Sequence, residues 1–411
     1  MRLLQRPVSQ FSIHWLYAYA HVKNLLRFVV PVFFQRYCGI RYSHPSRVTD
    51  HHLYRFSSAM LSRFIILESV RGFAAFYVIA GHLILDRVYD KNSLAGFVLR
   101  FGQEAVIAFF ILSGFVICIS QHKEPDKSFA LYFKKRARRI FPIYVFALLF
   151  SACAMYFTSE ERTLPSIPQI LGNLFMLQDF QSGKPGVWLS PLGGNVPLWS
   201  LSYEWWFYMM FFPVSKYIPE NRRLDFVAAI SLLGYCSYQV APNQISLFLM
   251  YFILWWSGVE LARNHLAGVK LTLISQWKLL TYLLLGTALL AMPVVASYVD
   301  RQVLSLGTHP ILEVRHFSAC FFLLTLGLVW KNLKWIGFIA LFKPFSTIAP
   351  ISYAAYVFHY PIVAVVLSAS LFDNLFLNCT LAVFATVIVS YLAEVHFQRL
   401  VNRSFPLQRK P

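Results

Sequence analysis

Between residues 67 and 395 the chain returns ten times to an apolar stretch of helical, membrane-crossing length. A hydrocarbon core about 30 Å thick takes roughly 20 residues at 1.5 Å rise each. The stretches lie near 67–85, 103–121, 140–158, 199–216, 225–241, 245–262, 278–298, 314–331, 351–371 and 375–395. The fourth to sixth are short and closely spaced, so they are the least sharply bounded. Charged residues make up only 13% of the 411 residues, whereas a soluble domain carries about 25%. The expected fold class is therefore all-α: a polytopic integral membrane protein of about ten transmembrane helices.

The net charge of +19 invites a nucleic-acid reading, but no nucleic-acid motif accompanies it. The distribution of the charge points to topology instead. With the N-terminus in the cytoplasm, the even-numbered loops and the tail carry 20 Lys and Arg, and the odd-numbered loops carry 7. Cytoplasmic loops are enriched in basic residues, so both termini are expected there, with loop 159–198 on the outer side. No nucleic-acid partner is expected.

Residues 1–62 read as a basic cytoplasmic extension. Phe11 to Tyr37 interleaves aromatic, aliphatic and basic residues, which suits a helix lying on the membrane surface. A poorly ordered extension, or a start codon assigned too far upstream, fits the same composition. Residues 63–400 form the expected transmembrane domain, and 401–411 a basic cytoplasmic tail. No further soluble domain is expected. The six cysteines are scattered, with no CxxC or His/Cys ligand spacing, so neither a disulfide framework nor a metal site is expected.

Five segments could carry chemistry. In LESVRGFAAFYVIAGH, residues 67–82, Arg71 and His82 are eleven residues apart. At roughly 100° per residue this is three turns plus about 20°, so both face one side of a helix, about 16 Å apart. Arg71 would sit near an interface and His82 near the midplane, where ionisable groups are costly and usually functional. Arg71 could equally be an interfacial anchor, and His82 a satisfied core residue. Arg136 and Arg139, in KKRARRIFPIY, share a helix face and could grip phosphate; they also suit a topology signal. In PLWSLSYEWWFY, residues 197–208, Glu204 needs a partner to stay charged, and Ser200 one turn back could supply it. In ISYAAYVFHYP, residues 351–361, His359 could approach the depth of His82, and Pro361 should loosen the backbone there. Ser113-Gly114, in FFILSGFVI, reads as a close-packing site for helices.

Taken in this order, the five segments resemble the acyltransferase 3 family of membrane O-acyltransferases. They match its arginine–histidine first helix and its FFxLSGF, R-x-x-R, PLWSLSxE and SYxxYxxHxP segments. Departures include Glu68 and Ser69 where the family often writes Asp and Gly, and Trp205 where many members have a second acid. The resemblance covers about residues 63–400.

The resemblance implies transfer of an acyl group, with acetyl expected, from cytoplasmic acyl-CoA to a hydroxyl of a surface, exported or lipid-linked carbohydrate. The donor is a substrate, and no bound cofactor is expected. Expected partners are acyl-CoA, a carbohydrate or glycolipid acceptor and membrane lipid; the expected location is a bacterial inner membrane. In this reading Arg71, Arg136 and Arg139 bind the donor phosphates. His82 is the general base or a covalent acyl carrier. Glu204 and His359 complete the catalytic set by orienting the acceptor or His82. A transporter or flippase for a lipid-linked or anionic solute would use buried Arg, His and Glu equally well. A membrane scaffold would not need them.

Overall fold

The computed structural model describes residues 51–85, 94–124, 128–160, 162 and 164–406. The amphipathic stretch 11–37 and residues 407–411 of the tail lie outside the described residues. The chain divides into two units, residues 1–65 and 66–411; the second contains every candidate site residue.

The helices are α1 (His51–Leu85), α2 (Leu94–Leu99), α3 (Gly102–His122), α4 (Phe129–Thr158), α5 (Ile167–Leu174), α6 (Trp199–Tyr217), α7 (Arg223–Val240), α8 (Gln244–Leu266), α9 (Trp277–Val299), α10 (Ile311–Asn332), α11 (Phe338–Phe342), α12 (Ser352–Ala369), α13 (Leu375–Tyr391) and α14 (Gln398–Ser404). A π-helical segment, Leu392–Phe397, joins the last two. No strand occurs among the described residues. Several helices begin where a side chain satisfies an orphan amide: Ser128, Ser166, Asn243 and Asn374 accept from backbone N–H groups at the starts of α4, α5, α8 and α13.

Eight helices among the described residues are long and apolar enough to cross a membrane. All ten expected segments are helical, but α6 and α7, the fourth and fifth, are not among those eight. The reason lies in their polar side chains. Helix α6 carries Ser200, Ser202, Glu204 and Lys216, and α7 opens with Arg223 and Asp225. Helix α6 hides most of its residues inside the protein. Helix α8 is apolar on nearly every face and buried over most of its length, as a helix at the centre of a bundle should be. Helices α3 and α7 pack against it. The contact with α3 is made by two glycines: a Cβ on Gly114 would collide with the Trp255 carbonyl, and one on Gly258 with the Ile111 carbonyl. Close backbone approach through small residues is how helices associate without a hydrophobic driving force, so Gly114 fulfils the packing role expected of its segment.

Prolines inside the long helices free the carbonyl four residues earlier, which then needs another donor in a medium without water. Three of these carbonyls are met by side chains from elsewhere. Asn195 Nδ2 donates to Val357 O, freed by Pro361, at 2.9 Å. Gln398 Nε2 donates to Arg138 O, freed by Pro142, at 3.0 Å. Tyr235 OH donates to Leu289 O, freed by Pro293, at 2.9 Å. Each proline thus becomes a cross-link between elements, and α12 continues as one helix past Pro361.

The described part of loop 159–198 is pinned to the bundle. Asp179 and Lys184 are buried together, with Lys184 Nζ 3.0 Å from Asp179 Oδ1. Tyr203 OH donates to Asp179 Oδ2 at 2.6 Å, and the ammonium lies 4.4 Å from the Trp199 ring centroid. A buried charge is tolerable only when paired and hydrogen-bonded, and this one is enclosed by α6.

Candidate functional site

His82 and His359 come from opposite ends of the sequence and meet. His82 lies near the end of α1, His359 in the middle of α12, and their ring centroids are 5.4 Å apart. Tyr360 stands edge-on to His82, with ring centroids 5.3 Å apart. His359 is fully buried. Its Nδ1 lies 2.8 Å from the Tyr356 carbonyl and 3.1 Å from that of Ala355. Both are acceptors only, so Nδ1 must carry the proton. Nε2 is therefore the lone-pair nitrogen, and it is buried without a hydrogen-bond partner.

Beside this pair, α12 is fastened to the start of α6. Ser200 Oγ and Tyr356 OH are 2.7 Å apart, and Tyr356 OH donates to Pro197 O at 2.9 Å. Ser200 thus serves Tyr356 and Pro197, not Glu204 as its one-turn spacing suggested. The carboxylate is served instead by Ser113 of α3, whose Oγ donates to Oε1 at 2.5 Å, and by a short hydrogen bond from Tyr208 OH. Ser113 Oγ and Tyr208 OH are themselves 2.9 Å apart, and Tyr132 OH fixes the Tyr208 carbonyl at 3.0 Å. The segment expected only to pack helices therefore has two tasks, with Gly114 packing and Ser113 holding Glu204.

The arginines do not form one cluster of equal members. Arg139 is engaged bidentately by Glu394, Nη1 to Oε2 at 2.6 Å and Nη2 to Oε1 at 3.1 Å. Its guanidinium carbon lies 5.3 Å from the Tyr353 ring centroid. Arg136 reaches Ser120 Oγ at 3.4 Å and lies 5.8 Å from the Tyr132 ring centroid; its Nε is buried without a hydrogen-bond partner. Arg71 pairs at 3.4 Å with Glu68, one turn back on its own helix.

The roles of three participants, Ser113, Glu394 and Tyr208, were not assigned from the sequence. Ser113 and Glu394 touch their partners across 91 and 255 residues. Tyr208 carried a signal, since it lies one turn after Glu204 on the same face. Among the described residues, no group of three or more His, Cys, Asp or Glu side chains is placed to hold a metal ion.

An all-α integral membrane protein with two histidines and a hydrogen-bonded carboxylate inside its helical bundle is the class that this fold and site define. The acyltransferase domain family model matches residues 64–395, and the chain belongs to that family, acyltransferase 3. Over 224 residues it is 28% identical to an acyltransferase, MdmB, of Streptomyces mycarofaciens; the match covers 51% of this chain and 56% of that protein. Over 93 residues it is 31% identical to protein 2 in the picA locus of Rhizobium radiobacter, covering 22% of this chain and 44% of that protein. The chain spans about half the length of the curated relatives it matches. No solved structure matches it.

Proposed function

We propose that the protein is a membrane O-acyltransferase that moves an acyl group, acetyl in the simplest case, from acyl-CoA to a hydroxyl of a surface, exported or lipid-linked carbohydrate. The observation that carries this reading is the buried lone pair of His359 Nε2 beside His82. Two imidazoles side by side, one of them fully buried, are suited to moving one proton. In the reacting complex Nε2 of His359 accepts the N–H of His82, a hydrogen bond not formed in the free protein, and leaves the other His82 nitrogen as base. Free structures often show such hydrogen bonds longer than they are in the reacting complex. The acceptor hydroxyl attacks the thioester carbonyl and gives its proton to His82. The C–S bond then breaks, and the departing CoA thiolate takes that proton. Glu204, held by Ser113 and Tyr208, orients the acceptor through a neighbouring hydroxyl.

Arg136, Arg139 and Arg71 bind the donor phosphates in this reading. Ten membrane helices, with α6 and α7 counted among them, put both termini and the arginines in the cytoplasm with the CoA pool. Residues 63–400 form the catalytic unit, between the basic extension 1–62 and the tail 401–411. The membrane is the bacterial inner membrane, and the donor is consumed as substrate with no resident cofactor.

The test is acyl-CoA turnover by purified protein with a carbohydrate acceptor. His82→Ala and His359→Ala should each lower kcat by about 10²–10⁴-fold, the range for a general base, with the variants still inserted and folded. Thioester consumption that His82→Ala leaves intact would remove His82 from the chemistry. A protein that moves a lipid-linked or anionic solute across vesicles without consuming acyl-CoA would be a transporter or flippase.

A further inference from the structure

We infer that Glu394 is a positioning residue for the donor site, holding Arg139 so that one edge of its guanidinium is presented to a phosphate-bearing ligand. The inference rests on the donor reading of the arginines above and gives the two members of R-x-x-R different tasks.

Four observations carry it. First, Glu394 takes both terminal nitrogens of Arg139, which fixes the plane of the fork. The Nε edge is not used by this pair, and an arginine has five N–H donors, so an end-on carboxylate and a side-on phosphate can be bound together. Second, the two partners differ in exposure: the Glu394 side chain is 5% exposed, that of Arg139 47%. A carboxylate so deeply buried and spent on a cation that stays accessible acts as a backstop. Third, Glu394 sits on the π-helical segment Leu392–Phe397. Such single-turn insertions re-aim side chains and recur at functional sites. Fourth, the same C-terminal stretch grips the α4 segment at two neighbouring points. Gln398 donates to Arg138 O, and Arg138 Nη1 donates to Phe405 O at 2.9 Å. Tyr353, whose OH donates to Ile140 O at 3.0 Å, closes one face of the guanidinium. Arg136, one turn earlier, has a buried Nε with no hydrogen-bond partner and is the more adaptable phosphate ligand.

Binding of CoA to detergent-solubilised full-length protein tests this, alongside KM and kcat for acyl-CoA. Glu394→Gln should weaken CoA binding and raise KM about tenfold, with kcat within about twofold. Arg139→Ala should do the same, and the double variant should be no worse than Arg139→Ala, because Glu394 acts through that side chain. Glu394→Asp, which keeps the charge but shortens the reach, should recover part of the loss. If wild type binds CoA and Glu394→Gln binds it equally well, the inference fails and the donor reading stands. Additive effects of the two substitutions, or a fall in kcat with KM unchanged, would also overturn it by marking Glu394 as a general structural support. If wild type binds no CoA, the donor reading falls and the inference with it.

Discussion

A histidine in an apolar helix has two nitrogens, and its surroundings decide what each can do. In His359 the backbone of its own helix claims Nδ1, and burial leaves Nε2 without a partner. Local helix geometry therefore leaves the lone pair on Nε2, without help from another side chain. Glu204 is the opposite case, because its oxygen is held by a residue from another helix. That difference gives a prediction at this scale. Ser113→Ala removes one hydrogen bond to a charged group, about 1.5–3 kcal/mol, and should lower kcat/KM for the acceptor roughly ten- to a hundredfold while the donor KM stays within twofold. Kinetics at varied acceptor and donor concentrations check it; a shift confined to the donor would detach Ser113 and Glu204 from the acceptor side.

At the scale of elements, the prolines have the largest reach. A proline in a membrane helix leaves a carbonyl that water cannot serve, so another element has to. Val357 O is served by Asn195, which also donates to Ser151 Oγ at 2.9 Å, tying α12 and α4 to the loop before α6. Asn195→Ala should destabilise the protein by about 1–3 kcal/mol, the cost of leaving a buried acceptor unmet. In a Pro361→Ala background the restored N–H can satisfy Val357 O within the helix, so the same substitution should cost distinctly less. Thermal unfolding of the two single variants and the double variant in detergent measures this coupling. Equal costs in both backgrounds would mean that Asn195 acts through Ser151 alone.

At the scale of the whole molecule, the question is which face each end of the bundle presents. Ser182 and Ser404 are both exposed, and they lie in regions that the basic-residue asymmetry assigns to opposite sides. In a background with the native cysteines replaced, single cysteines at these positions should label differently with an impermeant thiol reagent on intact cells. Position 182 should react and position 404 should not. The reverse pattern would put Arg136 and Arg139 on the side away from CoA and overturn the proposed direction of transfer. A second expectation at this scale is salt dependence. Donor binding by exposed guanidinium edges should weaken as ionic strength rises, because exposed charges are screened over about 8 Å at 0.15 M; binding indifferent to salt would argue against a phosphate-gripping site.

The sequence by itself determined the class of the molecule. Ten apolar segments too long and too poor in charge for a soluble fold leave helices as the answer, and all ten are helical in the structure. Within a helix the sequence also determined facing, since a 3.6-residue period puts Arg71 and His82 on one side of α1 and Tyr208 over Glu204. It did not determine which helices meet. Proximity along the chain pointed to Ser200 as the partner of Glu204, whereas Ser113, read only as a packing residue, holds it. The tertiary structure decided that by packing α3 against α8 through Gly114 and Gly258 and turning Ser113 toward α6. It likewise gave Arg139 a carboxylate 255 residues away and set His359 against His82. Pairings of this kind depend on the order and rotation of helices in the bundle. Those are chosen by backbone-to-backbone fit and by the demand that every buried polar group find a partner, which no local pattern in the chain encodes.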